Sequence, residues 1–180
     1  MKVESQGLLL QIAREAIASH LEDRTPSKFQ GSEPELLRTS GAFITLHKKG
    51  KLRGCVGQIV SDKPLYETVS EAAIAAATRD PRFHRVNRSE ISELEIEISV
   101  LTPLQPLERI EDLEIGVHGL YIKYGEHSGL LLPQVATAHN WNRTEFLQQT
   151  CKKAQLSEDA WQDPETELYL FGSQVFGEEF

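Results

Sequence analysis

The spacing of hydrophobic residues predicts a helix near the start of the chain. Leu9, Ala16 and Ile17 fall on one side of such a helix. Ser5 stands in front of this pattern as the expected N-cap. The following residues 22–40 contain two prolines and a glycine and keep no sustained period, which predicts a long surface connection.

Two strands joined by a tight turn are predicted for residues 41–60, "GAFITLHKKGKLRGCVGQIV". The turn falls at residues 48–51, where Gly50 can take a positive φ. Gly54 and Gly57 lie inside the second strand. Glycine weakens a strand, so each indicates either a bulge or a close approach of another group to the backbone.

A second helix is predicted to begin near Pro64 and to end at "RDPRF", residues 79–83, because Pro81 disfavours helical geometry at Asp80. Five alanines between positions 72 and 77 predict close packing of this helix on a sheet. Residues 94–101, "LEIEISVL", then alternate between apolar and polar positions, which predicts a half-buried strand.

The residue pattern in the last third of the chain predicts a hairpin, a helix and a strand. The hairpin covers residues 118–133 and turns around Gly125 to Gly129, Thr144 caps a helix that carries Cys151, and residues 167–176 form the final strand. Helices and hairpins intermix without a regular strand-helix-strand repeat. The predicted fold class is therefore α+β, with a mainly antiparallel sheet and flanking helices in one domain over residues 1–180.

Composition narrows the functional classes. The 180 residues are 39% hydrophobic and 26% charged, which is ordinary for a globular protein with one substantial core. Twenty-seven acidic against 19 basic side chains give a net charge of −8, which argues against a general nucleic-acid binder. Two cysteines make no disulfide framework, and no signal peptide or membrane span is recognisable. We therefore expect a cytoplasmic protein with reduced thiols.

Cys55 is the first candidate for chemistry. A nearby guanidinium, such as that of Arg53, would lower the pKa of its thiol and expose a reactive thiolate. The alternative is that Cys55 fills a small buried space, as cysteines commonly do. The spacing of the residues does not decide between the two.

The segment "TRDPRF" is the second candidate. Arg79 and Arg82 flank Pro81, and two guanidinium groups there could hold a carboxylate or a phosphate. The alternative is that Asp80 pairs with one arginine to fasten the turn. These two uses are compatible.

Among the remaining polar residues, His118 is the best candidate for an acid or a base, although a lone histidine is more often structural. Glu97 lies on the polar face of its strand and becomes of interest if a second layer covers that face. The six histidines show no metal-ligand spacing. The phosphate-binding, dinucleotide-binding and G-x-S-x-G signatures are absent as well. We therefore predict neither a metal nor a cofactor.

Several segments taken together resemble the AMMECR domain. They are "GAFITLHKKGKLRGCVGQI", "PLYETVSEAAIAAATRDPRF", "LEIEISVL", "VHGLYIKYG" and "GLLLPQVATAHNW". The resemblance runs from about residue 6 to residue 176. Its most specific part is the L-R-G-C-[IV]-G hexapeptide at residues 52–57. The short chain is similar to the prokaryotic branch called AmmeMemoRadiSam system protein A.

The resemblance implies a larger and a smaller lobe, with the hexapeptide cysteine near a cleft between them. Carried over by position, the proposed catalytic residues are Cys55, His118 and Glu97. The implied ligand-binding residues are Arg53, Gly54, Gly57, Arg79, Asp80, Phe83 and Gln134. Gln134 stands where some relatives have glutamate, which argues against a catalytic carboxylate at that position.

The resemblance also implies a pathway shared with a Memo-type protein and a radical S-adenosylmethionine enzyme, but it implies no reaction. The reading that the resemblance favours is an enzyme or enzyme component that uses Cys55, the arginines and His118 for group transfer. The other is a non-catalytic subunit that holds a small anion or a peptide terminus against glycine N–H groups. The sequence determines neither the oligomeric state nor the substrate.

Overall fold

The computed structural model describes residues 1–27 and 29–178, and it confirms the α+β prediction. Every strand pair whose register is resolved is antiparallel. The chain divides into two compact units of unequal length. The larger takes Met1–Leu101 together with the segment from Gln174, and the smaller takes Thr102–Ser173.

The larger unit contains a four-stranded sheet in the order β2-β1-β3-β8. Its elements are α1 (Val3–Leu21), α2 (Pro34–Leu37), β1 (Ala42–Lys48), β2 (Lys51–Gln58), α3 (Leu65–Thr78), a 3-10 turn (Arg88–Glu93), β3 (Leu94–Leu101) and β8 (Ser173–Gly177). Strand β2 is therefore an edge strand, and it carries the hexapeptide.

The β1–β2 hairpin forms as the sequence predicts. Lys49 and Gly50 make the turn with φ of 53° and 72°, the left-handed geometry that suits a two-residue hairpin turn. Alternation places Ile44 of β1 and Ile98 of β3 fully buried on one face of the sheet, where they join the core with residues of α1 and α3. The opposite face carries the polar members of the same strands.

Two predictions in the first half of the chain are wrong in detail. Helix α1 begins at Val3 with Lys2 at the N-cap, so Ser5 lies inside the first turn. Ser5 is buried, and its hydroxyl is the first cause of a lowered pKa of the Glu35 carboxylate. The connection 22–40 contains the short helix α2, because Leu36 finds a fully buried position in the core.

The smaller unit contains a second four-stranded sheet in the order β4-β7-β5-β6. Its elements are β4 (Gln105–Pro106), β5 (Gly119–Tyr124), β6 (His127–Leu131), α4 (Pro133–Ala138), α5 (Arg143–Lys153) and β7 (Glu167–Phe171), with 3-10 turns at Ile110–Asp112 and Ala160–Gln162. Residues of β5, β7, α4 and α5 form its core.

Three predictions in this unit need correction. The hairpin turns at Gly125, and Gly129 belongs to β6, where an added Cβ would press on the backbone of Ala154. Asn142, and not Thr144, caps α5, because it forms a reciprocal capping box with Glu145. The predicted final strand is two strands, β7 and β8, and these belong to different sheets.

Candidate functional site

Arg53 forms its ion pair within the larger unit. Its guanidinium donates to both carboxylate oxygens of Glu90, at 3.1 and 3.0 Å, and to the carbonyl oxygen of His84 at 2.9 Å. The side chain of Arg53 is only 16% exposed. Its hydrogen bonds are the main reason why the pKa of Glu90 falls to about 2. Arg53 is thus a paired residue that joins β2 to the segment after α3.

Asp80 holds the main chain of the hexapeptide. The N–H of Cys55 donates to Asp80 Oδ2 at 2.9 Å, and Arg82 donates to both oxygens of the same carboxylate, at 3.0 and 2.7 Å. The Arg82 hydrogen bond is the first cause of a pKa of Asp80 that lies well below its usual range. Asp80 therefore fastens the turn after α3 and also covers one N–H of the edge strand.

The Cys55 thiol is half-buried and lies 3.3 Å from Thr45 Oγ1. Thr45 pairs in register with Cys55 on one side and with Glu97 on the other. Paired residues of an antiparallel sheet share a face, so these three side chains form a polar row across β2, β1 and β3. The row lies on the sheet face opposite the core residues Ile44 and Ile98.

The two glycines of the hexapeptide are explained by close packing. A Cβ on Gly54 would overlap the carbonyl oxygen of Ala76 in α3. A Cβ on Gly57 would overlap the carbonyl oxygen of Ala42 and the backbone of Phe43 in β1. The register shift of the hairpin leaves Arg53, directly before Gly54, without a partner in β1, so Gly54 adjoins a bulge and also marks close approach, whereas Gly57 marks close approach alone.

A pocket of about 390 Å³ lies between the end of β2 and α3. Gly57, Gln58 and Arg79 line it together with Thr68 and Glu71. Arg79 is exposed, and it forms no ion pair with any described residue, unlike Arg53 and Arg82. The carboxylate of Glu71 forms an ion pair with Lys63, whose Nζ lies 2.5 Å away.

The main chain of Gly57 points toward the free edge beside this pocket. In an antiparallel pair the N–H and C=O groups of alternate residues point away from the partner strand. The N–H of Cys55 does so, since it reaches Asp80. Gly57 follows two residues later with the register unbroken, so its N–H also points away from β1. No described residue outside the strand accepts a hydrogen bond from it.

The other predicted site residues are spread over the two units. Phe83 is half-buried in the turn after α3, with the Arg82 guanidinium 5.5 Å from its ring centroid. His118 and Gln134 belong to the smaller unit. His118 Nδ1 accepts the N–H of Glu114 at 3.1 Å and so braces the turn before β5. Gln134 is exposed in the first turn of α4. Their participation in a site with Cys55 stays a prediction.

Sequence reasoning did not find Glu90 and Thr45, the partners of Arg53 and Cys55. Asn87 and Glu90 form a capping box, and the spacing N-x-x-E is a signal for the start of a helical turn. That signal predicts local structure only. The pairing of Glu90 with Arg53 spans 37 residues and depends on the tertiary fold.

No helix among residues 1–27 and 29–178 is long and apolar enough to cross a membrane. Those residues also contain no group of three histidine, cysteine, aspartate or glutamate side chains close enough to hold a metal ion.

Comparisons with known proteins agree on one family. The AMMECR1 family model matches residues 10–176. A protein of Methanothermobacter thermautotrophicus is 45% identical over 179 residues, which cover 95% of this chain and 93% of the relative. Protein MK0488 of Methanopyrus kandleri is 43% identical and covers 99% of this chain and 91% of its own. The crystal structure of the uncharacterized protein PH0010 from Pyrococcus horikoshii has a TM-score of 0.93 at 38% identity, over 100% of this chain and 94% of that one. The chain therefore belongs to the AMMECR1 family.

Proposed function

We propose that this protein is a binding subunit that holds a carboxylate between the end of β2 and α3. The observation that carries the proposal is that one pocket is lined both by Arg79, which forms no ion pair with a described residue, and by Gly57, whose N–H points away from β1. A guanidinium and a backbone N–H are complementary to the two oxygens of a carboxylate. The ligand class is a small organic acid or the C-terminus of a peptide.

The size and charge of the pocket support this ligand class. About 390 Å³ is within the range of small-molecule sites and suits one or two residues or a small acid. Glu71 is the acidic group in the lining, and its pairing with Lys63 limits its repulsion of an anion. Val56 and Ala75 add apolar surface for the body of the ligand.

The catalytic alternative places group transfer on Cys55, with Glu97 and His118 as helpers. Its supporting observation is the half-exposed thiol beside Thr45 Oγ1. Of the two arginines expected to assist it, Arg53 is already paired with Glu90, and Arg79 lines the pocket assigned here to a carboxylate. For that reason we favour binding. We expect a Cys55→Ser variant to retain full carboxylate binding, because Cys55 does not line the pocket.

We further propose that the protein belongs to the AmmeMemoRadiSam branch and presents its bound acid to a Memo-type protein or a radical S-adenosylmethionine enzyme. This proposal has its support in the sequence resemblance alone. A pull-down with both proteins from the same organism tests it. A stable complex that an Arg79→Gln exchange leaves intact would place partner binding outside the carboxylate pocket.

The binding proposal is tested by amide chemical-shift titration of ¹⁵N-labelled protein. The probes are N-acetyl-Ala-Ala with a free C-terminus, the same dipeptide as its amide, and succinate. We expect the free acids to shift the amides of Gly57 and Gln58, whereas the amide does not. The relative affinities of dipeptide and succinate distinguish a peptide terminus from a small acid.

Variants separate the pocket from general charge effects. Arg79→Gln is expected to weaken binding at least about tenfold, the usual size of one charge-assisted contact. Arg85→Gln is the matched control, since Arg85 is also exposed and forms no ion pair with a described residue. Equal binding of acid and amide, or equal losses in both variants, would refute the proposal.

A further inference from the structure

A second and larger pocket, of about 610 Å³, lies between α1, α3 and the segment near Phe29 in the larger unit. Leu8 and Ile12 of α1 form part of its wall, and the rings of Phe29 and Tyr66 form another part. These two rings are tilted by 39°, with centroids 4.9 Å apart. The wall therefore combines aliphatic surface with aromatic faces.

The polar lining of this pocket is acidic. Glu15, Glu67 and Glu71 contribute three carboxylates, and no lysine or arginine is among the described lining residues. Glu15 pairs with Arg24 at 3.1 Å, and Glu71 pairs with Lys63. Among the described lining residues, the walls are thus largely apolar and the charged groups are all acidic.

Glu67 differs from the other two carboxylates because it forms no ion pair with a described residue. It accepts a hydrogen bond from the Tyr66 hydroxyl at 2.9 Å, and this contact raises the pKa of that phenol. The contact fixes a half-buried carboxylate beside an aromatic ring. A charge in that position is screened by solvent less than an exposed one.

We infer that this pocket binds an organic cation with an apolar body, its ammonium group beside Glu67 and its body against Leu8, Ile12 and the two rings. Cations are attracted both by a carboxylate and by the faces of aromatic rings. An anion would be repelled by the Glu67 carboxylate, which no described cation offsets. A bare metal ion does not fit either, because no three acidic, histidine or cysteine side chains of the described residues converge on one point.

This site is independent of the carboxylate site proposed above, since the two ligands have opposite charge. Glu71 lines both pockets but is paired with Lys63, so we assign it no contact to the cation. Success or failure of either proposal therefore leaves the other standing.

The test is a titration with three probes of similar shape: 2-phenylethylammonium, neutral 2-phenylethanol and anionic 3-phenylpropionate. Amide shifts of ¹⁵N-labelled protein report on the α1 and α3 walls. We expect the ammonium to bind about tenfold more tightly than the alcohol, the size of one partly desolvated cation contact. The carboxylate is expected to bind most weakly. Equal affinities, a preference for the anion, or no shifts in α1 and α3 would overturn the inference.

Variants then assign the contacts. Glu67→Gln is expected to abolish the preference for ammonium over alcohol while the alcohol affinity stays the same. Tyr66→Leu is expected to weaken both probes, and Tyr66→Phe is expected to retain them. Glu126→Gln, which removes an exposed charge from the β5–β6 turn of the other unit, is the matched control. An ammonium preference that survives Glu67→Gln would refute the assignment of Glu67.

Discussion

Replacing Glu90 by glutamine tests whether the hexapeptide arginine is a structural residue. The Glu90 carboxylate accepts from Arg53 at 3.1 and 3.0 Å, from Lys48 at 3.1 Å and from the N–H of Asn87 at 2.9 Å. Glutamine keeps the shape and one acceptor oxygen, so it retains the capping contact. It loses the charge on which the contacts to Arg53 and Lys48 depend.

The burial of the pair sets the size of the effect. The side chains of Arg53 and Glu90 are 16% and 14% exposed. Hydrogen bonds to charged groups contribute about 1.5–3 kcal/mol when buried, and exposed ion pairs about 0–1 kcal/mol. We therefore expect Glu90→Gln to lower the free energy of unfolding by about 2 kcal/mol at pH 7, and Tm by about 4–8 °C.

The effect must also depend on pH in one direction. The pKa of Glu90 falls from 4.5 to about 2 on folding, so the folded state favours the ionised carboxylate. A lowered pKa stabilises the protein above the unfolded value and loses this contribution as the pH falls toward the folded value. The difference between wild type and Glu90→Gln should therefore be constant at neutral pH and shrink between pH 4.5 and about 2.

The assay is urea unfolding followed by circular dichroism, in a double-mutant cycle of Arg53→Gln and Glu90→Gln. We expect a coupling energy of at least about 1 kcal/mol, since residues in direct contact are not additive. Glu93→Gln is the control, because Glu93 lies on the same 3-10 turn but is 40% exposed. Additivity of the two exchanges would refute the structural role of Arg53, and a difference that persists unchanged to pH 2 would refute the assigned pKa.

Three further predictions concern the packing of two glycines, the reactivity of the two cysteines and the N–H of Cys55 on edge strand β2. Gly54→Ala should lower the free energy of unfolding by about 1–3 kcal/mol, because the new Cβ would overlap the backbone of α3. Gly7→Ala, in open space on α1, should raise it by about 0.5–1 kcal/mol. Thermal unfolding of both variants tests this difference in sign. Iodoacetamide should modify half-buried Cys55 in the native protein, while fully buried Cys151, whose pKa is raised by burial, should react only after unfolding. Intact mass of single-cysteine variants measures both reactions, and equal rates in the native protein would contradict the prediction. Asp80→Asn should leave the fold intact but speed hydrogen exchange at the Cys55 amide, and an unchanged exchange rate would show that the carboxylate does not protect it.

The sequence by itself determined the elements whose signals are local. Alternation over 42–48 and 94–101, together with a turn at Lys49 and Gly50, was sufficient for β1, β2 and β3 of the larger sheet, but not for β8. These features follow from backbone geometry and from the burial of one strand face, which depend on neighbouring residues. The resemblance then identified the family, and the family model confirms it over residues 10–176.

The tertiary structure decided which sheet a strand joins and which partner a charge finds. Residues 167–176 look like one strand, yet β7 pairs with β5 in one sheet and β8 neighbours β3 in the other. In sequence, the hexapeptide places an arginine near a thiol, yet in the structure Arg53 donates to Glu90 and the N–H of Cys55 donates to Asp80. Arg79 keeps its charge for a ligand in our proposal because no carboxylate among the described residues pairs with it. Such pairings join residues that are tens of positions apart, so only the folded chain brings them within hydrogen-bonding distance.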